Sequence, residues 1–551
     1  MTATATIFHH PDAVESADKP LAGRRTAGQS FLAGYARHVQ ADTLHCAAFN
    51  QSHIDHFREL LTAYGWTGGI EGCLAGSPRD LGTPGTFFVP GPNLASYAWA
   101  RRRVGQRHYS ICGITHTVST RRIMEGLAEV MTAPLETWDA IICTSRAVQS
   151  VVAEEMDAVE AYLARRFAAR RVPRPALPVI PLGIDTTRFA RSDDTRARLR
   201  AEYGLAEDDI AVMSMGRLTI HEKLHPAPLF LALQQAARQT GRNVTLLMAG
   251  WFGDKANETL HTTMAREMCP DVTVLFPDGK DEDLRYDLWS AADIFTLPVD
   301  NIQETFGLAP VEAMAAGLPV VCSDWNGFKD TVTDGETGYR VRTLMARTGQ
   351  GERLAHRFAD GVDSYHQYLG SVHQRTAIDV REMAAAFAAL IGDADKRAAM
   401  GAAGRDRAAR VYDWSVIIPQ YQALWAEMAA RRARDTVTSA REPGEPADPS
   451  AMDPFRLYGQ YSTDVLQRDA VLGAERAIAQ DELEHLFQLS GASHLRRMVA
   501  RPEELVAIQN EIHAHGPTDY GAIISRASGD MTTLEACLLW LLKFDLIQVE
   551  V

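Results

Sequence analysis

The sequence predicts an α/β chain in which two open parallel sheets, each covered by helices, face one another across a cleft and are followed by a small, mainly helical module. Three observations lead there. Short apolar runs alternate with helical patterns through most of the chain, the rhythm of βαβ units. The stretch Thr436–Ser450, polar and rich in Pro, Gly, Ser and Thr, then breaks that rhythm as a linker would. Beyond it, amphipathic helical patterning returns.

The first sheet draws on Ser110–Thr115, Ala140–Thr144 and Pro178–Pro181. The second draws on Ile210–Met215, Thr245–Ala249, Val272–Phe276, Ile294–Leu297 and Val320–Cys322. These are the short apolar runs of strands covered on both faces. Gly183–Ser192 has the turn chemistry of a crossover between the sheets. The chain therefore divides into two Rossmann-like domains, residues 1–182 and 183–410, a final helix over 411–435, a linker over 436–452 and a module over 453–551. Pro419 is predicted to kink or interrupt the final helix. Residues 347–380 look like an insertion in the second domain. Their histidines lack metal-ligand spacing, so a packed loop is expected. In the last module, Thr532 or Thr533 is expected to cap an apolar helix, and the strand-like end IQVEV leaves room for a short wing. A winged-helix reader and an assembly or acceptor-docking module both fit. The missing Lys- and Arg-rich recognition face favours the second.

At 551 residues the chain is too long for one core. Its 46% apolar and 23% charged residues suit a soluble globular protein, and its net charge of −14 argues against nucleic acid as the main partner. Seven scattered cysteines without a CxxC pair, several in apolar runs, read as buried hydrophobes in a reducing compartment. With no secretory signal and no apolar run near bilayer length, the chain is expected in the cytoplasm. Arginine clusters at Arg101–Arg103 and Arg165–Arg171 leave peripheral contact with the inner face of a membrane open.

The most informative stretch is Asn301–Val341, NIQETFGLAPVEAMAAGLPVVCSDWNGFKDTVTDGETGYRV, which reads as loop, helix, buried strand, loop. Pro310 fits the first helical position, Ala313–Ala316 favour the helix, and Gly317 can end it in the left-handed conformation. Glu304 then lies in the loop before the helix and Glu312 in its first turn, both aimed at a cleft where a sheet ends. The free N–H groups of the helix start offer a seat to phosphate. Two hydroxyl acceptors beside an anion seat suit a sugar nucleotide.

This stretch resembles the donor-site signature of retaining glycosyltransferases of the GT-B fold, in the GT4 family, whose marker is two glutamates with seven residues between them, here Glu304 and Glu312. The resemblance implies two facing Rossmann-like domains, acceptor on the first and donor nucleotide on the second, and a last helix crossing back to the first. It implies a metal-independent transfer of sugar from a nucleotide sugar to a saccharide, lipid-linked or other hydroxyl acceptor, in cell-surface glycan or glycoconjugate synthesis, with no cofactor. Glu304 would hold hydroxyls of the donor sugar and Glu312 those of the ribose, while Thr305, Phe306, Gly307 and Leu308 bring backbone N–H groups to the diphosphate. The resemblance does not cover residues 453–551, for which self-association is one expected role.

Other residues fall into place around these. The strand Ile210–Met215 runs into Gly216 and Arg217, and Lys223 follows six residues after Arg217. An arginine fork and a lysine point charge are what a departing diphosphate needs. The commoner family pattern sets the lysine one residue sooner and follows it with glycine, where this chain has Leu224. His116, after the strand SICGIT, resembles the family histidine that contacts the donor sugar. Gly23 and Gly28 are expected in a glycine-rich loop before the first helix, with backbone donors for phosphate. Gly250 closes the strand LLMAG, and Asp278 stands where relatives enclose the base. A sugar-nucleotide epimerase and a noncatalytic scaffold share this architecture. The first lacks a paired acid and base here, and the complete set Glu304, Glu312, Arg217 and His116 argues against the second.

Overall fold

The computed structural model describes residues 3–14, 23–491, 501–526 and 531–550. The chain divides into two compact units, Met1–Pro449 and Ser450–Val551.

The first unit holds two six-stranded parallel sheets. One contains β1 (Thr6–Phe8), β2 (Thr43–Ala48), β3 (Gly69–Leu74), β4 (Thr86–Val89), β5 (Ser110–Ile114) and β6 (Ala140–Ile142), in the order β3-β2-β1-β4-β5-β6. The other contains β7 (Ile210–Leu218), β8 (Val244–Phe252), β9 (Val272–Leu275), β10 (Ile294–Leu297), β11 (Val320–Ser323) and β12 (Gly338–Val341), in the order β12-β11-β10-β7-β8-β9. Both are the doubly wound order, with the chain reversing direction between β1 and β4 and between β7 and β10. All four residues of β10 and of β11 are buried, as strands covered by helices on both faces must be. The expected strand Pro178–Pro181 does not form. Only single bridges join Ala176 to Ala140 and Val179 to Cys143, because prolines cannot donate to a ladder.

The helix Trp414–Arg434 continues through Pro419, so of the expected kink or interruption the interruption does not occur, and it crosses back onto the first sheet. There Trp414, Ile417, Tyr421 and Trp425 share a core with Leu32, Tyr35 and Phe88. Burying such side chains contributes about 1.5–3 kcal/mol each. The chain after this helix is not a free linker. The fully buried Glu136 carboxylate accepts from Thr438 N at 3.0 Å, Thr438 Oγ1 at 2.6 Å and Ser439 Oγ at 2.8 Å. Arg102 donates to the carbonyls of Ser439, Ala440 and Pro446 and pairs with Glu445 at 2.8 Å. A buried carboxylate needs such partners, so residues 438–447 are part of the first unit.

The insertion after β12 is also more ordered than a loop. Thr343–Met345 pairs antiparallel with Thr376–Ile378, and this ribbon carries the helices Glu352–Ala359 and Tyr365–His373. A capping box of Ser364 and Gln367 starts the second helix.

In the second unit, Val471–Gly473 lies between Thr518–Asp519 and Gln548–Glu550 in an antiparallel sheet, so the IQVEV run does supply a strand. The expected cap residues Thr532 and Thr533 lie inside the helix Met531–Lys543. Its Leu534, Cys537, Leu538 and Leu541 are buried, three of them in a core with Leu472, Leu483 and Leu505 of the same unit. Among the described residues no helix is long and apolar enough to cross a membrane. Nor are three or more His, Cys, Asp or Glu side chains placed to hold a metal ion.

Candidate active site

A cavity of about 390 Å³ opens between the two sheets of the first unit. Thr26, Ala27, Thr115, His116 and Thr117 line it from the first sheet's side, and the ends of β7, β8 and β10 line it from the second. It lies at the switch point of the second sheet, where the ends of β7 and β10 part.

Close backbone packing builds its floor. A β-carbon on Gly250 would stand 1.9 Å from the Gly216 carbonyl oxygen, so only glycine lets β7 and β8 meet this closely at their ends. Just past Gly216, Arg217 donates to Glu222 at 2.5 Å and to Gln303 Oε1 at 2.8 Å. Lys223 Nζ donates to Glu304 Oε2 at 2.6 Å. Burial works to raise the Glu304 pKa, but the Lys223 ammonium and the backbone N–H groups of Thr305 and Phe306 outweigh it and hold the carboxyl below its ordinary value. Glu304 is therefore ionised at neutral pH. Glu312 behaves oppositely. Burial pushes its carboxyl up to about 7, and the charges of Arg285, Lys223 and Arg188 only partly offset this.

The helix carrying Glu312, Leu308–Ala315, begins two residues before Pro310, so Pro310 is not its first residue and Glu312 sits in the second turn. Pro310 still costs nothing, because its missing N–H is one of the four that a helix start leaves unpaired. Gly307 caps this helix at φ 90°, with Phe328 so close that a β-carbon would lie 2.1 Å from its ring. Thr305, Phe306, Gly307 and Leu308 all line the cavity. The Phe306 ring itself is buried, facing Tyr412 at 6.0 Å, so this residue meets the cavity chiefly through its backbone. Ser145 Oγ of the first sheet's side donates to the Thr305 carbonyl at 2.8 Å and fixes this loop across the cleft.

Arg217, Lys223, Gly250, Glu304, Glu312 and His116 are thus brought together. Three expected residues are not among the lining residues. Asp278 is exposed, and its carboxylate accepts from Lys280 N at 3.0 Å, leaving Gly279 to line the cavity. Gly23 and Gly28 lie in the helix Gly23–His38, which replaces the expected loop, and Thr26 and Ala27 reach the cavity instead. Several further residues line the cavity without a sequence motif to mark them. Glu222 and Gln303 carry Arg217, and Tyr286 lies between two guanidinium groups, Arg188 at 4.4 Å and Arg285 at 5.0 Å from its ring. Their signal was faint, because Arg285 and Tyr286 read as an ordinary helix face.

Comparison with known proteins agrees with this geometry. Residues 195–346 match the family of glycosyl transferases group 1. They hold β7 to β12 with Arg217, Lys223, Glu304 and Glu312. The chain is 30% identical over 261 residues to a GDP-mannose-dependent alpha-(1-6)-phosphatidylinositol monomannoside mannosyltransferase of Mycolicibacterium smegmatis, covering 46% of this chain and 58% of that one. It is 29% identical over 299 residues to a D-inositol 3-phosphate glycosyltransferase of Nocardia farcinica, covering 52% and 61%. The chain thus spans about three fifths of the length of these two relatives. In structure it is similar to HepE of Anabaena, solved with UDP and glucose, with a TM-score of 0.50 and 17% identity over 77% of this chain and 100% of that one. The first unit has the GT-B fold.

Proposed function

We propose that the chain is a retaining, metal-independent glycosyltransferase that moves a sugar from a nucleotide sugar to a hydroxyl acceptor. The observation that carries this is the pairing of Lys223 with Glu304 at 2.6 Å beside Arg217, at the strand ends of a doubly wound sheet and with His116 on the opposite wall. Arg217 and Lys223 supply two fixed positive charges for the departing diphosphate, the task a metal ion performs elsewhere. When the diphosphate arrives it exchanges places with Glu222 on one Arg217 nitrogen, while the other stays bonded to Gln303. Glu304, ionised, accepts from sugar hydroxyls, and Glu312 accepts from the ribose next to the Tyr286 wall. His116 meets the sugar from the far side. Retention follows the family pattern: the acceptor hydroxyl attacks from the face the diphosphate leaves, and a phosphate oxygen takes its proton.

The names of the two relatives support a phosphorylated polyol or a lipid-linked polyol as acceptor. The absence, among the described residues, of a membrane-crossing helix suits work in the cytoplasm or against the inner face of a membrane, in glycoconjugate synthesis. Purified chain is incubated with UDP-glucose, UDP-N-acetylglucosamine and GDP-mannose in turn. Release of nucleoside diphosphate, with an acceptor product whose anomeric configuration matches the donor's by NMR, is the expected result. Epimerised donor without release would instead mean an epimerase, and neither outcome would mean a binding protein.

A further inference from the structure

The helix Tyr365–His373 in the inserted segment sits where the two walls of the cleft meet. The Tyr365 hydroxyl lies 2.9 Å from Ser119 Oγ and 3.5 Å from Thr117 Oγ1, both in the loop that follows His116. From the other side Gln303 Nε2 donates to the same hydroxyl at 3.4 Å, and Gln303 Oε1 accepts from Arg217 at 2.8 Å. With Gln303 as donor, the Tyr365 proton is left for Ser119. An unbroken chain of hydrogen bonds, Arg217–Gln303–Tyr365–Ser119, therefore runs from the diphosphate seat to the loop bearing His116. The preceding inserted helix adds a second tie, with Arg121 donating to the Ala359 carbonyl. The family match ends at residue 346, so none of the inserted helices belongs to the matched segment.

We infer that Tyr365 is a positioning residue: it fastens the His116 loop to the donor side of the cleft, so that cation seat and histidine close on the donor as one body. This rests on the proposed donor site, but its physical consequence can be read without turnover. Ser119 is buried, so breaking its bond to Tyr365 removes the tie that joins this loop to Gln303 and Arg217 and lets it open locally more often.

Tyr365→Phe removes the hydroxyl and nothing more. Hydrogen exchange of residues 114–122 in the full chain should quicken by about tenfold, and turnover should fall by about tenfold while UDP or GDP affinity stays within about twofold, on the scale of one lost hydrogen bond. Ser119→Ala, the other end of the same bond, should do the same, and the double variant should add little. Tyr368→Phe is the control, since the Tyr368 ring stacks on Phe358 at 4.4 Å and takes no part in the chain to Ser119. Unchanged exchange at 114–122 in both Tyr365→Phe and Ser119→Ala, or an equal change in Tyr368→Phe, overturns the inference. A wild-type chain that turns over no nucleotide sugar overturns the functional reading instead, and the exchange measurement still decides the role of Tyr365.

Discussion

Lys223 and Glu304 meet at 2.6 Å across the donor cavity, 81 residues apart in sequence. The ammonium keeps Glu304 ionised despite its burial. Removing it as Lys223→Met should therefore raise the Glu304 pKa and destabilise the fold, by roughly 1–3 kcal/mol for a largely buried carboxylate that keeps the Thr305 N–H but loses its charged partner. Denaturant unfolding of Lys223→Met, alone and combined with Glu304→Gln, checks this. The double variant should regain most of the loss.

The two glutamates should separate in function. Glu304→Gln should depress turnover and spare nucleoside diphosphate binding, because the diphosphate and ribose do not need it. Glu312→Gln should weaken both. Isothermal titration with UDP and GDP beside steady-state rates distinguishes the two. Equal losses of diphosphate affinity would contradict this division of roles.

Glu312 also ties the stability of the fold to pH. Its folded pKa is raised to about 7, so the folded state favours the protonated form, and that contribution is lost as pH rises from the unfolded value through about 7. Glu312→Gln should therefore be more stable than wild type near pH 8, by at most roughly 3 kcal/mol in denaturant unfolding, with the gap closing near pH 5. A variant less stable than wild type at both pH values would contradict it.

On the first sheet, His9 is buried and bonded to His56 at 2.8 Å. Burial, aided by the neighbouring imidazoles His56, His53 and His10, holds its pKa down to about 3. The unfolded chain binds that proton more readily, so stability should fall as pH drops from about 6.5 toward 3. Urea unfolding across that range should show the slope, and His9→Gln should flatten it.

Much of this was legible in the sequence, unevenly. β7, β10 and β11 are apolar runs buried on both faces, and pattern alone finds them. The first sheet is harder to read, because β1 has three residues and β3 is an edge strand with four of its six residues exposed. Glu304 and Glu312 stand in a helix-and-strand context that declares itself. Gly23 and Gly28 stand in a helix where a loop is expected, because glycines in a helix look, in sequence, like glycines in a loop. The bond of Tyr365 to Ser119 joins residues 246 apart, and no local pattern encodes such a contact. The hold of Glu136 on Thr438 and Ser439 hid for the same reason, inside a stretch whose composition suits a linker.

That hold predicts where the chain can be cut. A chain ending at Pro449 should keep nucleoside diphosphate affinity, since every donor residue lies upstream. One ending at Arg434 leaves the buried Glu136 without Thr438 and Ser439, and should lose roughly 2–4 kcal/mol of stability. Thermal unfolding of the two separates them. Light-scattering mass of the shorter chains against the full one tests whether Ser450–Val551 drives self-association.

The central claim is a phosphate seat made by the protein, and Arg217 tests it most directly. Nucleoside diphosphate release from the preferred nucleotide sugar is measured for wild type and Arg217→Ala, each with excess EDTA. Wild type should keep its rate in EDTA, and Arg217→Ala should lose roughly 2–4 kcal/mol of transition-state stabilisation, about a hundredfold or more in rate. Wild-type turnover that stops in EDTA and returns with Mg²⁺, or an Arg217→Ala variant as fast as wild type, would contradict it.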